Sequence, residues 1–292
     1  MRCGAVVCFA LMTASLKLAS EDGVVAAEML FYRSVFGMPL VLGWIMLGPG
    51  LGALRTKRPL AHLGRSALGI TGILLNFQAL ILLPLADLTT ISFTAPIFAT
   101  LLSLLLLREQ VGHHRLLAIV AGFVGVVIVM RPGADSGAIS HLGIAFALAG
   151  AVGTAGVTIT LRQLGATENV AAIVFWFFTA SAVVSGIAMI FVAQAHDPFT
   201  WAMLVAGGLS GGAAQLLMTA SLRAAPVSVV SPFDYLQIIW AIALGWLIWS
   251  DAPSLNTALG ALLIGGSGLY TAFREHRLRR RELAAMSTPP QL

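Results

Sequence analysis

Residues 88–107 read LTTISFTAPIFATLLSLLLL, twenty consecutive positions without a charged side chain. A helix rises about 1.5 Å per residue, so about twenty such residues match the roughly 30 Å hydrocarbon thickness of a bilayer. A helix on a soluble core would carry a broad polar face, and this run has none. It reads as a transmembrane span. Pro84-Leu85-Ala86-Asp87 before it supplies a tight turn, and Arg108-Glu109 after it marks the return to water.

Nine more runs of the same kind flank it, at 3–20, 24–47, 66–85, 115–130, 141–161, 169–193, 201–221, 227–249 and 255–273. The breaks between them are polar or rich in Gly and Pro, for example Ser20-Glu21-Asp22-Gly23, Arg55-Thr56-Lys57-Arg58-Pro59 and Ala195-His196-Asp197-Pro198. Composition agrees. Of the 292 residues 58% are hydrophobic and only 10% charged, with mean hydropathy +0.92, whereas a soluble domain carries about 25% charged residues. The expectation is an all-α membrane protein of ten transmembrane helices, multi-pass in the inner (plasma) membrane. A β-barrel is excluded, because its strands are short and alternate in polarity.

The basic residues give the orientation. With the N-terminus inside, the cytoplasmic segments hold 14 of the 17 Lys and Arg, and the external ones only Arg131. Lys17 and Arg33 fall within spans. Lys17, near the outer end of span one, is expected to snorkel to the surface. This split places both termini in the cytoplasm. The net charge of +5 is scattered over short loops and the tail from Arg274 to Arg281, so no nucleic-acid partner is expected. Cys3 and Cys8 sit in an apolar run and fit no zinc or disulfide spacing. The six histidines form no metal set, and no cofactor is expected. No phosphate-binding Gly-x-x-x-x-Gly-Lys loop occurs, so no ATP-binding domain is expected either. The loops also lack the clustered His and Asp of a lipid-modifying enzyme, so the chain is expected not to be an enzyme.

The two halves correspond. An offset of 142 relates Pro84 to Pro226 and Glu109 to Asp251; an offset of 143 relates Gly122 to Gly265, Gly125 to Gly268 and Arg131 to Arg274. A repeat of five spans is odd, so the second copy must be inverted in the membrane. Inverted repeats are a mark of secondary transporters. The expected organisation is a first repeat over 1–133, a second over 134–275 and a basic cytoplasmic tail over 276–292.

Polar groups at membrane depth are costly and need a reason. Arg33 lies about ten residues into span two, near the midplane at about 1.5 Å per residue. Its fork suits a carboxylate, with Glu28 as the structural alternative. Asp234 follows Pro232 in span nine and shares a face with Gln237, with Trp240 beside them. Together with Arg33 it suggests a cavity for zwitterions. Ser92 in span four, Thr154 and Thr158 in span six and Gln215 in span eight add candidate cavity groups. Of Asn76 and Gln78 in span three, about 200° apart on a helix, Gln78 is preferred. Pro96 and Pro232 are candidate hinges. Trp44, Trp201, Trp246 and Trp249 read as an interfacial belt.

Three pieces of the chain resemble the drug/metabolite transporter superfamily, and its EamA-type members in particular. They are Lys17 with Phe31-Tyr32-Arg33; Thr94-Ala95-Pro96 with Arg108-Glu109, Gly122 and Gly125; and Ser231-Pro232-Phe233-Asp234-Tyr235 with Asp251-Ala252-Pro253 and Gly260 to Tyr270. The resemblance implies a central cavity lined by spans one, three, four, six, eight and nine. It includes exporters of amino acids, among them aromatic-amino-acid exporters of the YddG type, and importers of S-adenosylmethionine, riboflavin and sugars. Typical members repeat Pro96 and Glu109 in the second half; here Ile238 and Asp251 stand in those places. The expected function is export of amino acids or related metabolites by alternating access, with import of a nucleoside-like or vitamin-like solute as the alternative. The expected partners are that solute and the lipid bilayer, and the expected state is a monomer.

Overall fold

The computed structural model of the chain describes residues 1–107, 113–130, 140–165, 167–224 and 231–287, and every regular element among these is a helix. Helices α1 (Arg2–Glu21) and α2 (Ala26–Leu47) are joined by a turn in which Gly23 has φ +85°, a conformation that a Cβ would strain. A 3-10 turn (Leu51–Leu54) precedes α3 (Pro59–Leu82), which opens on a proline whose missing N–H is harmless in a first turn. Next come α4 (Leu85–Ser92), α5 (Ala95–Leu107), α6 (His113–Met130), α7 (His141–Leu164), α8 (Val170–Val192) and α9 (Pro198–Ala224). A second 3-10 turn (Ser231–Tyr235) runs directly into α10 (Leu236–Trp249), and α11 (Leu255–Ser287) follows.

Side-chain caps explain where several helices start. The side-chain oxygens of Ser140, Asn169 and Asp197 accept from the amides of Gly143 (3.1 Å), Ala171 (2.9 Å) and Thr200 (2.7 Å). Each satisfies an amide that the first helical turn leaves without a partner. Seven described segments are long and apolar enough to cross a bilayer: α1, α2, α3, α4 with the first part of α5, α7, α8 and α9. Shorter apolar stretches occupy Leu116–Met130 of α6 and Phe233–Trp249.

Four elements differ from the sequence expectation. The third run, expected over 66–85, begins seven residues earlier, at Pro59. The run 88–107 is not one helix but the end of α4 followed by α5. Pro96 has no N–H, and its ring would clash with the carbonyl of Ser92 four residues earlier. The helix stops after Ser92, the Thr94 hydroxyl donates to the Ile91 carbonyl at 2.7 Å, and α5 restarts at Ala95. The ninth run is expected to begin at 227, which lies outside the described residues, and its first described turn is 3-10. The last helix continues past 273 to Ser287. The repeat markers Glu109, Arg131 and Pro226 also lie outside the described residues.

Packing pairs α3 with α7, α1 with α9, and α6 with α11. Helix α2 lies against both α8 and α9, α5 against α7, and α10 against α1 and α4. Lipid gives no hydrophobic drive for helices to associate, so close van der Waals approach has to supply it. Glycines permit that approach. A Cβ on Gly153 of α7 would lie 2.8 Å from Gly72 Cα of α3, and a Cβ on Gly212 of α9 would lie 2.9 Å from Gly37 Cα of α2. Large apolar side chains such as Ile190, Phe191, Leu247, Leu262 and Phe273 point outward instead. On a soluble protein that much exposed apolar surface would be a liability; here it is the face offered to acyl chains.

Candidate transport site

The two interrupted spans meet. Phe93, between α4 and α5, stacks on Tyr235, the last residue of the second 3-10 turn, with ring centroids 4.9 Å apart and planes inclined by 29°. The offset of 142 that relates Pro84 to Pro226 also relates these two residues. The Tyr235 ring continues toward α11, where a Cβ on Gly268 would collide with its hydroxyl. The break between α4 and α5 leaves the Ser92 carbonyl without the amide that Pro96 lacks, and this is tolerated at membrane depth only inside protein or beside a polar cavity.

Asp234, adjacent to that stack, has a protein partner. Arg2 at the start of α1 holds it bidentately, Nε to Oδ1 and Nη2 to Oδ2, each at 2.6 Å. Arg2 Nη1 also donates to Ser221 Oγ on α9 at 3.3 Å. The ion pair therefore ties three elements together, α1, α9 and the 3-10 turn that begins the broken span.

Arg33 is elsewhere. Only 3% of its surface is exposed, its Nε donates weakly to Met12 Sδ at 3.3 Å, and its guanidinium lies 5.3 Å from the Phe178 ring centroid. Glu28 does not pair with it: Glu28 Oε1 accepts from His196 Nε2 at 2.9 Å and from the Gln194 amide, and Oε2 is buried without a partner. Arg2 and Met12 are ten residues apart on α1, about 15 Å along a helix. Asp234 and Arg33 thus sit at different depths, and the zwitterion cavity expected from the two together is not formed.

The remaining candidates divide. Asn76, not Gln78, makes the inter-helix contact: Ser92 Oγ donates to Asn76 Oδ1 at 3.3 Å, and a Cβ on Gly150 would strike the same amide. Gln78 is exposed. The hydroxyls of Thr154 and Thr158 donate to carbonyls of their own helix, Gly150 and Thr154, at 3.0 Å, so each presents only acceptor lone pairs outward. Gln215 and Gln237 are half-buried, and Trp240 and Pro96 are exposed. The Pro232 backbone belongs to the 3-10 turn. Lys17 does not snorkel. It donates to the Leu80 and Leu83 carbonyls at 2.8 and 2.9 Å, capping the end of α3, where a cation is favoured.

A model of the EamA-like transporter family matches residues 1–131 and 141–272. The chain belongs to that family. It is 30% identical to a riboflavin transporter of Brucella anthropi over 86% of this chain and 89% of that one. It is 29% identical to a pseudopaline exporter of Pseudomonas aeruginosa strain UCBPP-PA14, over 88% and 89%. It is 24% identical to an S-adenosylmethionine uptake transporter of Rickettsia conorii, over 87% and 85%. A solved crystal structure of 20% sequence identity superposes with a TM-score of 0.64 over 94% of this chain and 97% of that one, which establishes the shared fold. This EamA-like protein is a multi-pass inner-membrane transporter of a small solute, and not an enzyme.

Sequence reading of the transporter missed two acid–histidine contacts, because it treated the histidines as loop residues. Besides Glu28–His196, His62 on α3 meets Glu168 before α8, Nε2 to Oε2, at 3.3 Å. Each contact ties the segment before or at the start of one span to the connection or first turns of another. Burial pushes the Glu168 carboxyl up, but hydrogen bonds from Thr56, His62 and the Lys57 amide outweigh it and hold the carboxyl below the usual glutamate range. A carboxyl whose folded pKa is depressed adds stability that is complete above its unfolded pKa of about 4.3 and is lost as pH falls through the folded value. The gap between the unfolding midpoints of the wild type and Glu168→Gln is therefore expected to close as pH falls below about 4. A gap that stays the same through that acid range would show that the Glu168 contacts are not made in solution.

Proposed function

We propose that this transporter exports amino acids or related small metabolites by alternating access between two inverted halves, residues 1–133 and 134–275. Ten spans form these halves, both termini are cytoplasmic, and residues 276–292 form a basic tail. The observation that carries the proposal is the packing pattern around the two interrupted spans. Count α4 with α5 as span four, α6 to α9 as spans five to eight, the 3-10 turn with α10 as span nine, and α11 as span ten. Advancing every span by five turns the α3–α7 contact into α9–α1, α2–α9 into α8–α3, and α5–α7 into α10–α1, all of which occur. The contacts α2–α8, α6–α11 and α4–α10 map onto themselves. The two stretches matched by the family model are nearly equal in length and fall on either side of residue 134.

Two halves that share these contacts can exchange conformations at little net cost in packing, which is the requirement for alternating access. Phe93 and Tyr235 sit where the exchange axis would pass. Solute would bind beside them, among Ser92 and Asn76 from one half and Gln215 and Gln237 from the other. The second reading, import of a vitamin-like or nucleoside-like solute, is favoured by the names of two relatives, the riboflavin transporter and the S-adenosylmethionine uptake transporter.

Counterflow in liposomes without ATP tests both readings. Labelled Thr, Met and Phe should enter by a saturable route that falls by about tenfold or more in Gln215→Ala, equivalent to about 1.4 kcal/mol or more. Riboflavin or S-adenosylmethionine flux with no amino-acid flux would select the second reading. Folded protein that moves none of these solutes would reject both.

A further inference from the structure

Arg65 belongs by sequence to the charges before the third apolar run, yet on α3 only 5% of its surface is exposed. Its guanidinium lies 3.9 Å from the ring centroid of Phe177 on α8. The same ring packs against Gly69, where a Cβ would come within 2.8 Å of it. Arg33 on α2 is seated in the same way, its guanidinium facing Phe178, which in turn leaves no room for a Cβ on Gly37. Two Arg-x-x-x-Gly segments on neighbouring helices thus clasp two consecutive phenylalanines, whose rings are 6.1 Å apart.

An aromatic face attracts the guanidinium plane but satisfies none of its in-plane N–H donors. Nε and Nη1 of Arg65, and Nη1 of Arg33, are buried without a hydrogen-bond partner. Among the described residues no carboxylate lies within ion-pair distance of either arginine. Glu168 and Glu28, the acids at the ends of neighbouring helices, meet His62 and His196 instead, and Glu28 Oε2 is itself buried without a partner. Arginine does not escape by losing its proton. Two buried cations on neighbouring helices, clasping adjacent phenylalanines, therefore retain unpaired donors.

Arg65 also lines a half-open groove of about 340 Å³ between α3 and α7. Arg58, Thr160 and Gln163 add polar groups to its wall, and Leu68 and Leu164 make the rest apolar. Arg58 stands exposed at the start of α3. One water occupies about 30 Å³ of liquid, so the space suits an organic group and is too large for a simple ion.

The geometry points to a binding site in this groove for an oxyanion, carboxylate or phosphate, carried on an apolar body. Arg58 meets the anion at the mouth, and Arg65 in the wall binds it through Nη2, the guanidinium nitrogen that is not sealed off like Nε and Nη1. Leu68 and Leu164 cover the apolar part. Such a group is found both on soluble organic anions and on anionic lipid headgroups. The site is separate from the stacked pair Phe93–Tyr235, so it stands whichever solute that region carries.

Thermal unfolding of the purified full-length protein in neutral detergent tests the site. The probes are phenyl phosphate and dihexanoylphosphatidylglycerol, with sodium chloride at equal ionic strength and dihexanoylphosphatidylcholine as controls. The expected result is a saturable rise of several degrees with at least one anionic probe and none with the controls. The rise should vanish in Arg65→Gln. In Arg58→Gln, an exposed position where folding is retained, half-saturation should need about tenfold more probe. A response to phenyl phosphate assigns the site to soluble anions, and a response to phosphatidylglycerol alone assigns it to lipid; both uphold it. No saturable rise in the wild type, or a rise that Arg58→Gln leaves unchanged, overturns the proposal.

Discussion

Gly212→Val should unfold this transporter at a much lower temperature than the wild type, or prevent its recovery in folded form. The reason is the identity of the neighbour. A Cβ at 212 would stand 2.9 Å from Gly37 Cα and 3.0 Å from the Gly37 carbonyl oxygen, and backbone cannot turn aside as a side chain can. Valine adds two further methyl groups. Helices α2 and α9 would have to separate, loosening Gly208 from Tyr32 and Phe36 along the same seam. The expected loss is at or above the upper end of the about 1–3 kcal/mol that overpacking usually costs. Gly43→Ala on the same α2 is the control. A Cβ there meets nothing within 4 Å, and alanine is the better helix former, so its midpoint should be unchanged or slightly higher. Equal midpoints for Gly212→Val and wild type would mean that α2 and α9 do not pack backbone against backbone.

The second large effect concerns Arg2 and Asp234. Arg2→Ala and Asp234→Ala should each lower the rate of counterflow by about tenfold and by similar amounts. The double variant should be no worse than either single one. That pattern follows from a bidentate pair in which both partners do one job, holding the start of α1 on the turn that opens the broken span. The side chains are 13% and 30% exposed, so part of the attraction is screened and a coupling of about 1–2 kcal/mol is expected. If Asp234 instead bound solute directly, Asp234→Ala would be far more damaging than Arg2→Ala, and the half-saturation concentration would rise. A double variant that loses the product of the two single losses would also contradict the pairing.

Much of the fold can be read without coordinates, because hydropathy and charge act locally. The apolar runs at 24–47, 169–193 and 201–221 correspond within a few residues to α2, α8 and α9, since a bilayer demands the same length and composition of any spanning helix. The interruption of the fourth span could also have been read from Pro96, whose ring excludes the Ser92 carbonyl whatever surrounds it. The depth and partners of the ionisable groups could not. Arg65 counts as a loop charge by its place in the sequence, but α3 begins six residues earlier and carries it onto the Phe177 ring. Asn76 and Gln78 are equivalent in composition, and only the approach of α7 through Gly150 decides which one joins a helix contact.

The sequence by itself determined that the chain lives in a membrane as a series of apolar helices, that few polar groups lie within them, and which breaks are forced by proline and glycine. Each of these depends on one helix and its solvent. The tertiary structure decided that Asp234 answers Arg2, that Glu28 and Glu168 answer histidines, that Phe93 meets Tyr235, and that Arg33 and Arg65 face aromatic rings with no carboxylate partner among the described residues. The physical reason is that a charge in a low-dielectric interior is set by whatever stands within about 4 Å of it. In a helical bundle those neighbours come from helices remote in sequence, brought together by glycine contacts that no single span encodes.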